Sequence, residues 1–511
     1  MNPQRAIVIG AGVGGLSAAI RLAVAGVRVT LLEKNNRVGG KLNLRRLPHP
    51  SRTTERPFSF DTGPSLLTMP AVFEDLFRAA GHDLHRDLDV VRLDPIARFT
   101  WDDGTTFDLS ANPEARLENI RRLAPDDVAG FHRLLERGRD IWNIGGEMFL
   151  FRAPEQFMAE ARSPLDRLRT ALVPLRIGMF QKYRVLIDRH VRHPKLRELL
   201  YQYATYSGAS PFKAPATLAV IPFVEQHFGG WYVQGGMYRL AEALEAIVRQ
   251  LGVEVRTNCP VERVLVEMRA GHPRARGVRL ASGDELLTDV VLCNSDVIWS
   301  YRNLVEPRFR PHYPDRKLDR IEPGGSGMVL LLGVEGTYPQ LAHHTKFMPD
   351  DYRSDLRAMF ETQTIPDDPC IYVCATTRTD PTQAPDGCEN LFVLCSAPPL
   401  TANIDWTTAA RRYRDQVVRT LETRFGLTDL SRRIVVEQTI TPRDLASLYN
   451  ANAGSIYGIS SNSLRTAFLR PPNRDRHIRG LFFAGGATHP GGGLPLVALS
   501  GKIAAELVLA S

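Results

Sequence analysis

Three glycines near the N-terminus have the spacing of a phosphate-binding turn. Gly10, Gly12 and Gly15 follow a short apolar run and precede a stretch with the composition of a helix. In a strand–turn–helix unit, the first glycine permits the tight turn, the second lets the backbone approach a pyrophosphate, and the third allows close packing. A second strand then ends at Glu33. A carboxylate there accepts hydrogen bonds from ribose hydroxyls and repels a 2′-phosphate, so a dinucleotide other than NADP is predicted.

The segment after Glu33 distinguishes between NAD and FAD. Gly39 and Gly40 allow a second close approach of the backbone, toward the flavin half of FAD, although an ordinary glycine turn is the alternative. We therefore predict cofactor contacts from Gly10, Gly12, Gly14, Gly15, Glu33, Lys34, Gly39, Gly40 and Lys41.

A second glycine-rich segment lies near the C-terminus. Gly485 and Gly486 end an apolar strand, and Gly493 and Leu494 begin the last helix after a loop. A helix N-terminus reached through glycines presents N–H groups to an electron-rich ring edge. These four residues are predicted to line the flavin ring, with simple packing of the helix as the alternative.

Composition narrows the class of protein. The 511 residues carry 64 basic and 56 acidic side chains, a net charge of +8, and no nucleic-acid-binding motif, so no nucleic acid partner is expected. The six cysteines form no CxxC pair, which predicts no metal site and thiols in a reducing compartment. We expect neither a secretion signal nor a membrane-spanning helix.

The segment 161–200 is strongly basic. It holds ten Lys or Arg residues and three acids, interleaved with large apolar side chains. That mixture suits a segment that lies on an anionic membrane surface, with a solvated helical face as the alternative. The membrane alternative predicts a cytoplasmic location, at the inner face of the cell membrane.

The order of predicted elements indicates an α/β fold. We expect a Rossmann-type, glutathione-reductase-like FAD-binding domain formed by residues 1–111, 236–300 and 455–511. Residues 301–454 are predicted to form a discontinuous α+β substrate domain, and 112–235 a helical region that contacts substrate and membrane.

Motifs along nearly the whole chain resemble the bacterial-type phytoene desaturase family, a branch of the amine-oxidase-like flavoproteins that includes carotenoid desaturases and oxygenases. They include WYVQGGMYRLAEAL at 231–244, LAHHT at 341–345 and LFFAGGATHPGGGLPLVALSGKIAAEL at 481–507. The resemblance implies FAD, a long apolar polyene substrate and contact with one membrane leaflet. It also makes Val261 a candidate backbone contact for adenine. AGGATHPGGG and PLVALSGK depart from the desaturase pattern, which leaves the subfamily open.

The resemblance implies a carotenoid desaturase that acts on a C40 polyene or a C30 analogue. Hydride would pass to flavin N5 and a proton to a base, with quinone or oxygen as the final acceptor. The alternatives are an oxygenase of terminal methyl groups, a polyene isomerase and a carotenoid carrier without turnover.

No motif in the sequence identifies the base that takes the proton. His489, in the flavin loop, is the candidate catalytic residue, with a structural role as the alternative. His343 and His344 are weaker candidates.

Overall fold

A parallel sheet of five short strands carries the glycine turn. The computed structural model describes residues 4–153, 172–468 and 470–511, so residues 161–171 of the predicted basic segment lie outside the described residues. The strand order is Leu481–Phe483, Val290–Cys293, Arg5–Ile9, Arg28–Leu32 and Glu254–Arg256. The central strands are apolar and largely buried, as is typical of strands covered on both faces. Strands from three separate stretches of the chain therefore build this one sheet.

A seven-stranded sheet forms the second layer of the molecule. Its order is Ile434–Ile440, Ser326–Glu335, Cys388–Ala397, Ile371–Cys374, His344–Phe347, Ala97–Thr100 and Thr106–Leu109. All neighbouring strands are antiparallel except the pair His344–Phe347 and Ala97–Thr100, which runs parallel. The hairpin formed by the last two strands falls within the predicted range 1–111, yet it pairs with this sheet.

Three smaller sheets complete the β-structure of the described residues. They contain Val261–Arg269 with His272–Leu280 and Glu285–Leu287, Leu44–Leu47 with Phe58–Asp61, and Val90–Arg92 with Trp231–Val233. The apolar residues of 286–294 predict a single strand, but the structure contains two, Glu285–Leu287 and Val290–Cys293, which corrects that prediction. The first pairs antiparallel with His272–Leu280, and the second pairs parallel with Arg5–Ile9, so the chain changes sheet between them.

Helices cover both sheets and dominate the region predicted to be helical. The longer ones are Val13–Val24, Pro70–Ala79, Pro113–Leu123, Val128–Ile141, Tyr183–His190, Pro194–Tyr201, Val220–Phe228, Tyr238–Gln250, Val297–Leu304, Trp406–Thr423, Pro442–Tyr449 and Leu494–Leu509. Short α-helices lie at Leu84–Asp87, Glu147–Leu150, Asp315–Leu318, Tyr352–Arg357, Leu430–Arg433 and Leu464–Phe468. Among the described residues, no helix combines the length and apolar character that crossing a bilayer requires.

The first and last helices pack directly against each other beside the parallel sheet. A Cβ at Gly501 would lie 2.2 Å from the carbonyl oxygen of Gly14. The absence of a side chain at Gly501 therefore permits the close approach of the two helices. The Ser17 hydroxyl donates a hydrogen bond to the Ala498 carbonyl at 2.8 Å. This packing brings the C-terminal loop next to the N-terminal glycine turn.

Candidate functional site

The N-terminal glycine turn has the backbone that the sequence predicts. Gly10 has a φ of +94°, a left-handed conformation that favours glycine. A Cβ at Gly15 would lie 2.1 Å from the Gly10 carbonyl oxygen, so the helix packs against the turn more closely than any side chain permits. Gly12 precedes the helix Val13–Val24, which no side chain caps. Its first N–H groups are therefore available to an anionic ligand.

Glu33 lies at the end of the second strand and is almost completely buried. Its Oε2 accepts the Ala11 N–H at 2.9 Å, and its Oε1 accepts the Asn35 N–H at 2.9 Å. These two bonds fix the carboxylate beside the glycine turn. Because each carboxylate oxygen has two lone pairs, Glu33 retains capacity to accept hydrogen bonds from a ribose.

The second glycine pair meets the first. The Gly39 N–H donates to the Ala11 carbonyl at 2.8 Å, and a Cβ at Gly40 would lie 3.1 Å from the Cα of Gly12. The two segments therefore form one continuous backbone wall of the site.

The two lysines of this segment are held by backbone carbonyls and an amide oxygen. The Lys41 ammonium donates to the Ser455 and Ile456 carbonyls, and burial lowers its pKa to about 8. Lys34 donates to the Ser447 carbonyl and to Asn450 Oδ1, and burial lowers its pKa as well. Both side chains thus tie the glycine segment to the loops after Pro442–Tyr449.

The C-terminal glycine loop faces the N-terminal turn across Asn294. The Asn294 amide nitrogen donates to the Gly10 carbonyl at 3.3 Å, while Asn294 Oδ1 is buried and has no hydrogen-bond partner among the described residues. A Cβ at Gly485 would lie 3.4 Å from that oxygen. The helix Leu494–Leu509 begins after Gly493 and has no side-chain cap. Asn294 begins the sequence NSDV at 294–297, and these residue types alone assign it no role.

One cavity of about 920 Å³ connects these segments. Its lining includes every predicted cofactor contact except Gly15, whose role is packing. Val261 lies at the same end as Glu33, where the Cys259 N–H donates to the Glu33 carbonyl at 2.8 Å. Elsewhere the lining is mainly apolar and includes Phe149, Leu218, Ile221 and Val329. The cavity therefore joins a glycine-rich compartment to an apolar one.

His489 lines this cavity at the C-terminal loop. Its Nε2 lies 2.9 Å from the Arg152 carbonyl oxygen, which fixes Nε2 as the protonated nitrogen of the neutral ring. Burial lowers the pKa of His489 to about 4, so the ring is neutral near pH 7. Its own carbonyl accepts hydrogen bonds from Asn473 and Ser500. The catalytic role of His489 stays a prediction, and these contacts favour a role in holding the loop.

His343 and His344 are buried side by side. His343 Nδ1 lies 2.6 Å from the Thr379 hydroxyl, and His344 Nδ1 lies 2.8 Å from the Tyr372 hydroxyl. Burial lowers the pKa of His343 to about 3, and burial also lowers the pKa of His344 well below its usual range. The ligand atoms of both rings and of the Cys374 thiol lie within 4.8 Å of one another. These three groups could hold a metal ion, whereas the sequence predicts no metal site. Metal analysis of the purified protein tests this prediction, and we expect no stoichiometric metal.

The residues present fit a flavin dinucleotide. The uncapped helix N-terminus fits a pyrophosphate, Glu33 fits a ribose, and the orphaned Asn294 oxygen beside two glycine segments fits a polar ring edge. A parallel sheet with this turn, opening on a cavity with an apolar compartment, defines an FAD-dependent oxidoreductase.

Comparison with known proteins identifies the family. The family model described as flavin containing amine oxidoreductase matches residues 13–509, so the chain belongs to that family and its cofactor is FAD. It is 38% identical to a 4,4'-diapolycopene oxygenase of Methylomonas sp, over 99% of this chain and 98% of the relative. It is 34% identical to a 4,4'-diaponeurosporene oxygenase of Staphylococcus aureus strain USA300, over 98% and 97%.

Solved structures support the fold. Cyclohexylamine oxidase from Brevibacterium oxydans IH-35A aligns with a TM-score of 0.60 at 15% identity, over 99% of both chains. An oxidoreductase from Methanosarcina mazei aligns with a TM-score of 0.60 at 16% identity, over 98% of this chain and 99% of that one. The predicted α/β fold is thereby confirmed, and the membrane-associating helical region stays a prediction.

Proposed function

We propose that this protein is an FAD-dependent carotenoid oxygenase that oxidises a terminal methyl group of a C30 polyene. The observation that carries this proposal is the likeness, over 99% of the chain, to a relative named a diapolycopene oxygenase. A second relative named a diaponeurosporene oxygenase supports the same class. Desaturation, the first choice of the sequence analysis, has support only at the level of the family. Oxygenation, its stated alternative, therefore ranks first.

The proposed reaction converts a terminal methyl group to an aldehyde. Its balance is RCH3 + O2 → RCHO + H2O, in which the carbon loses four electrons and dioxygen accepts them. Dioxygen rather than a quinone is therefore the oxidant in this proposal. When bound, FAD supplies the redox chemistry of this conversion.

The chain itself contributes binding, orientation and exclusion of water. Side chains such as Leu218, Ile221 and Val329 give the inner part of the cavity apolar walls, which suit a hydrocarbon and keep water out. The glycine loop before Leu494 lets the backbone come close to the ring of the cofactor. A polyene in this cavity is therefore oriented by shape, with its reacting end toward the glycine-rich compartment.

Pigment analysis tests the reaction. Cells that accumulate either a hydrogenated C30 precursor or a fully conjugated C30 polyene would express the chain under ¹⁸O2. We expect products from the conjugated polyene that gain one labelled oxygen and lose two hydrogens. Products that lose pairs of hydrogens without oxygen would identify a desaturase instead. Unchanged mass would identify an isomerase, and unchanged pigment that copurifies with the protein a carrier.

We also propose that the segment 172–185 contacts a membrane surface. Its exposed large apolar side chains are Leu172, Leu175, Phe180 and Val185, of which Phe180 is 65% exposed. Ile177, between Leu175 and Phe180, lines the cavity. The exposed side chains therefore lie on the outer side of a segment whose inner side is a cavity wall. That arrangement suits transfer of a hydrocarbon from the bilayer to the cavity.

Vesicle flotation tests this surface. The double variant Leu175→Asp and Phe180→Asp should lose most of its binding to vesicles that contain anionic lipid. The matched control is Met268→Asp with Leu287→Asp, since these side chains are 62% and 54% exposed on two strands outside this segment. Equal loss in both double variants, or unchanged flotation of the first, would contradict the proposed surface.

A further inference from the structure

A buried polar cluster interrupts the apolar compartment of the cavity. It consists of Gln202, Tyr206, Glu225 and Lys346, and all four side chains line the cavity. Lys346 and Glu225 are 5% and 3% exposed. Burying such groups is unfavourable unless they are paired, so this cluster is unexpected in a compartment for a pure hydrocarbon.

Neighbouring side chains hold the Lys346 ammonium but do not use all of its hydrogen-bond donors. Its ammonium donates to Gln202 Oε1 and, at 3.0 Å, to the Tyr206 hydroxyl. It also lies 4.6 Å from the centre of the Tyr206 ring and 5.4 Å from that of Phe99. An ammonium has three N–H donors, and these contacts use two of them. One donor of Lys346 is therefore available to a ligand.

The carboxylate of Glu225 is positioned in the same way. The Tyr203 hydroxyl donates to Glu225 Oε1 at 2.7 Å, while Oε2 is buried with no hydrogen-bond partner among the described residues. Burial lowers the pKa of Lys346 to about 8, and the charge of Glu225 opposes that shift. Burial raises the pKa of Glu225 above its usual range. The cluster thus offers a ligand both a donor and an acceptor.

The cluster lies toward the flavin loop. Gly208, in the same segment as Tyr206, is packed so that a Cβ there would lie 3.3 Å from the Cβ of Tyr457. A Cβ at Gly492, in the C-terminal loop, would lie 2.9 Å from the Tyr457 carbonyl oxygen. Tyr457 therefore lies between the segment that carries Tyr206 and the C-terminal glycine loop.

We propose that Lys346 and Glu225 form a subsite for an oxygenated end group of the polyene. The free N–H of Lys346 donates to a carbonyl or hydroxyl oxygen, and Glu225 Oε2 accepts from a hydroxyl. This inference rests on the proposed function, because a terminal alcohol and an aldehyde are the successive oxidation levels of the methyl group. The subsite holds the partly oxidised end of the polyene, whereas a hydrocarbon end makes no such contact.

Ligand binding to the FAD-loaded protein tests the subsite without turnover. The probes are a linear C30 polyene aldehyde and the C30 hydrocarbon of the same length, each titrated by absorbance and fluorescence quenching. Since a hydrogen bond from a charged donor is among the stronger ones, we expect wild type to bind the aldehyde about tenfold more tightly. Lys346→Met should reduce this preference to less than threefold and leave the hydrocarbon affinity within threefold.

Two further variants make the result specific. Lys213→Met is the matched control, because the Lys213 ammonium donates to the Phe360 carbonyl outside the cluster, and it should keep the full preference. Lys346→Gln retains a polar side chain and serves if Lys346→Met does not fold. It should lower the preference at least threefold.

Equal affinity of wild type for the two probes, or equal weakening of both by Lys346→Met or Lys346→Gln, would overturn the subsite. Oxygen incorporation without an aldehyde preference would refute the subsite and leave the proposed function intact. An aldehyde preference without oxygen incorporation would support the subsite and refute the proposed function.

Discussion

Replacement of Glu33 by glutamine should weaken FAD binding by a measurable and specific amount. The carboxylate accepts one backbone N–H on each oxygen, both at 2.9 Å. Glutamine offers one oxygen and one NH2 group, so the N–H of Ala11 or Asn35 would face a donor. An unsatisfied buried N–H costs about 1–3 kcal/mol, and this part of the loss appears in the stability of the apoprotein.

Loss of the ribose contact adds a second effect, which lowers the affinity for FAD and leaves the stability of the apoprotein unchanged. A hydrogen bond to a charged acceptor contributes about 1.5–3 kcal/mol, which corresponds to a rise in the Kd for FAD of roughly 10- to 150-fold. Titration of FAD into apoprotein, followed by flavin fluorescence, measures this rise. Glu254→Gln is the matched control, because Glu254 lies on the adjacent strand with its side chain 53% exposed, and its Kd should stay within twofold.

FAD with a 2′-deoxyadenosine half separates the two losses. If Glu33 binds the 2′-hydroxyl, wild type should lose affinity for the deoxy analogue, whereas Glu33→Gln should bind FAD and the analogue almost equally. Equal weakening of both ligands by Glu33→Gln would limit Glu33 to supporting the glycine turn. A Kd for FAD within twofold of wild type would refute the whole argument.

Three further changes test other parts of the structure. Gly15→Ala places a Cβ 2.1 Å from the Gly10 carbonyl oxygen, so the turn must open, and the purified protein should retain less than about a tenth of its FAD by absorbance. Burial raises the pKa of Asp355 to about 8, so the folded protein holds this proton more tightly than the unfolded chain, whose Asp ionises near pH 4. The contribution of Asp355 to the free energy of unfolding is therefore complete below about pH 4 and is lost as the pH rises to 8. Denaturant unfolding should show that the free energy of unfolding declines over this pH range in wild type and does not decline in Asp355→Asn. A decline of equal size in the variant would show that Asp355 is not its cause. His489→Asn removes the contact with the Arg152 carbonyl and should lower FAD content, with the rate per bound flavin within threefold. A loss per flavin of 100-fold or more would instead identify His489 as the base.

The cofactor half of the protein was largely predictable from the sequence. The glycine turn, Glu33 and the second glycine pair are local features, because steric limits on a tight turn and on helix packing dictate which residues are allowed. The prediction of one strand over 286–294 was wrong, because its extent depends on long-range pairing and not on local geometry. Both halves are apolar, and only their different partner strands make them two.

The substrate compartment depended on the tertiary structure. Gln202 and Lys346 are 144 positions apart, and although Lys346 follows the motif LAHHT, no spacing pattern in the sequence links it to Gln202. A helical segment and a strand of the seven-stranded sheet bring them together, and burial then changes their chemistry. The sequence by itself determined the α/β fold class and the cofactor, FAD, since the backbone geometry of a dinucleotide-binding turn leaves a local signature. Only the tertiary structure decided that a buried lysine and a buried glutamate line an apolar cavity, because long-range packing leaves no periodic pattern in the sequence.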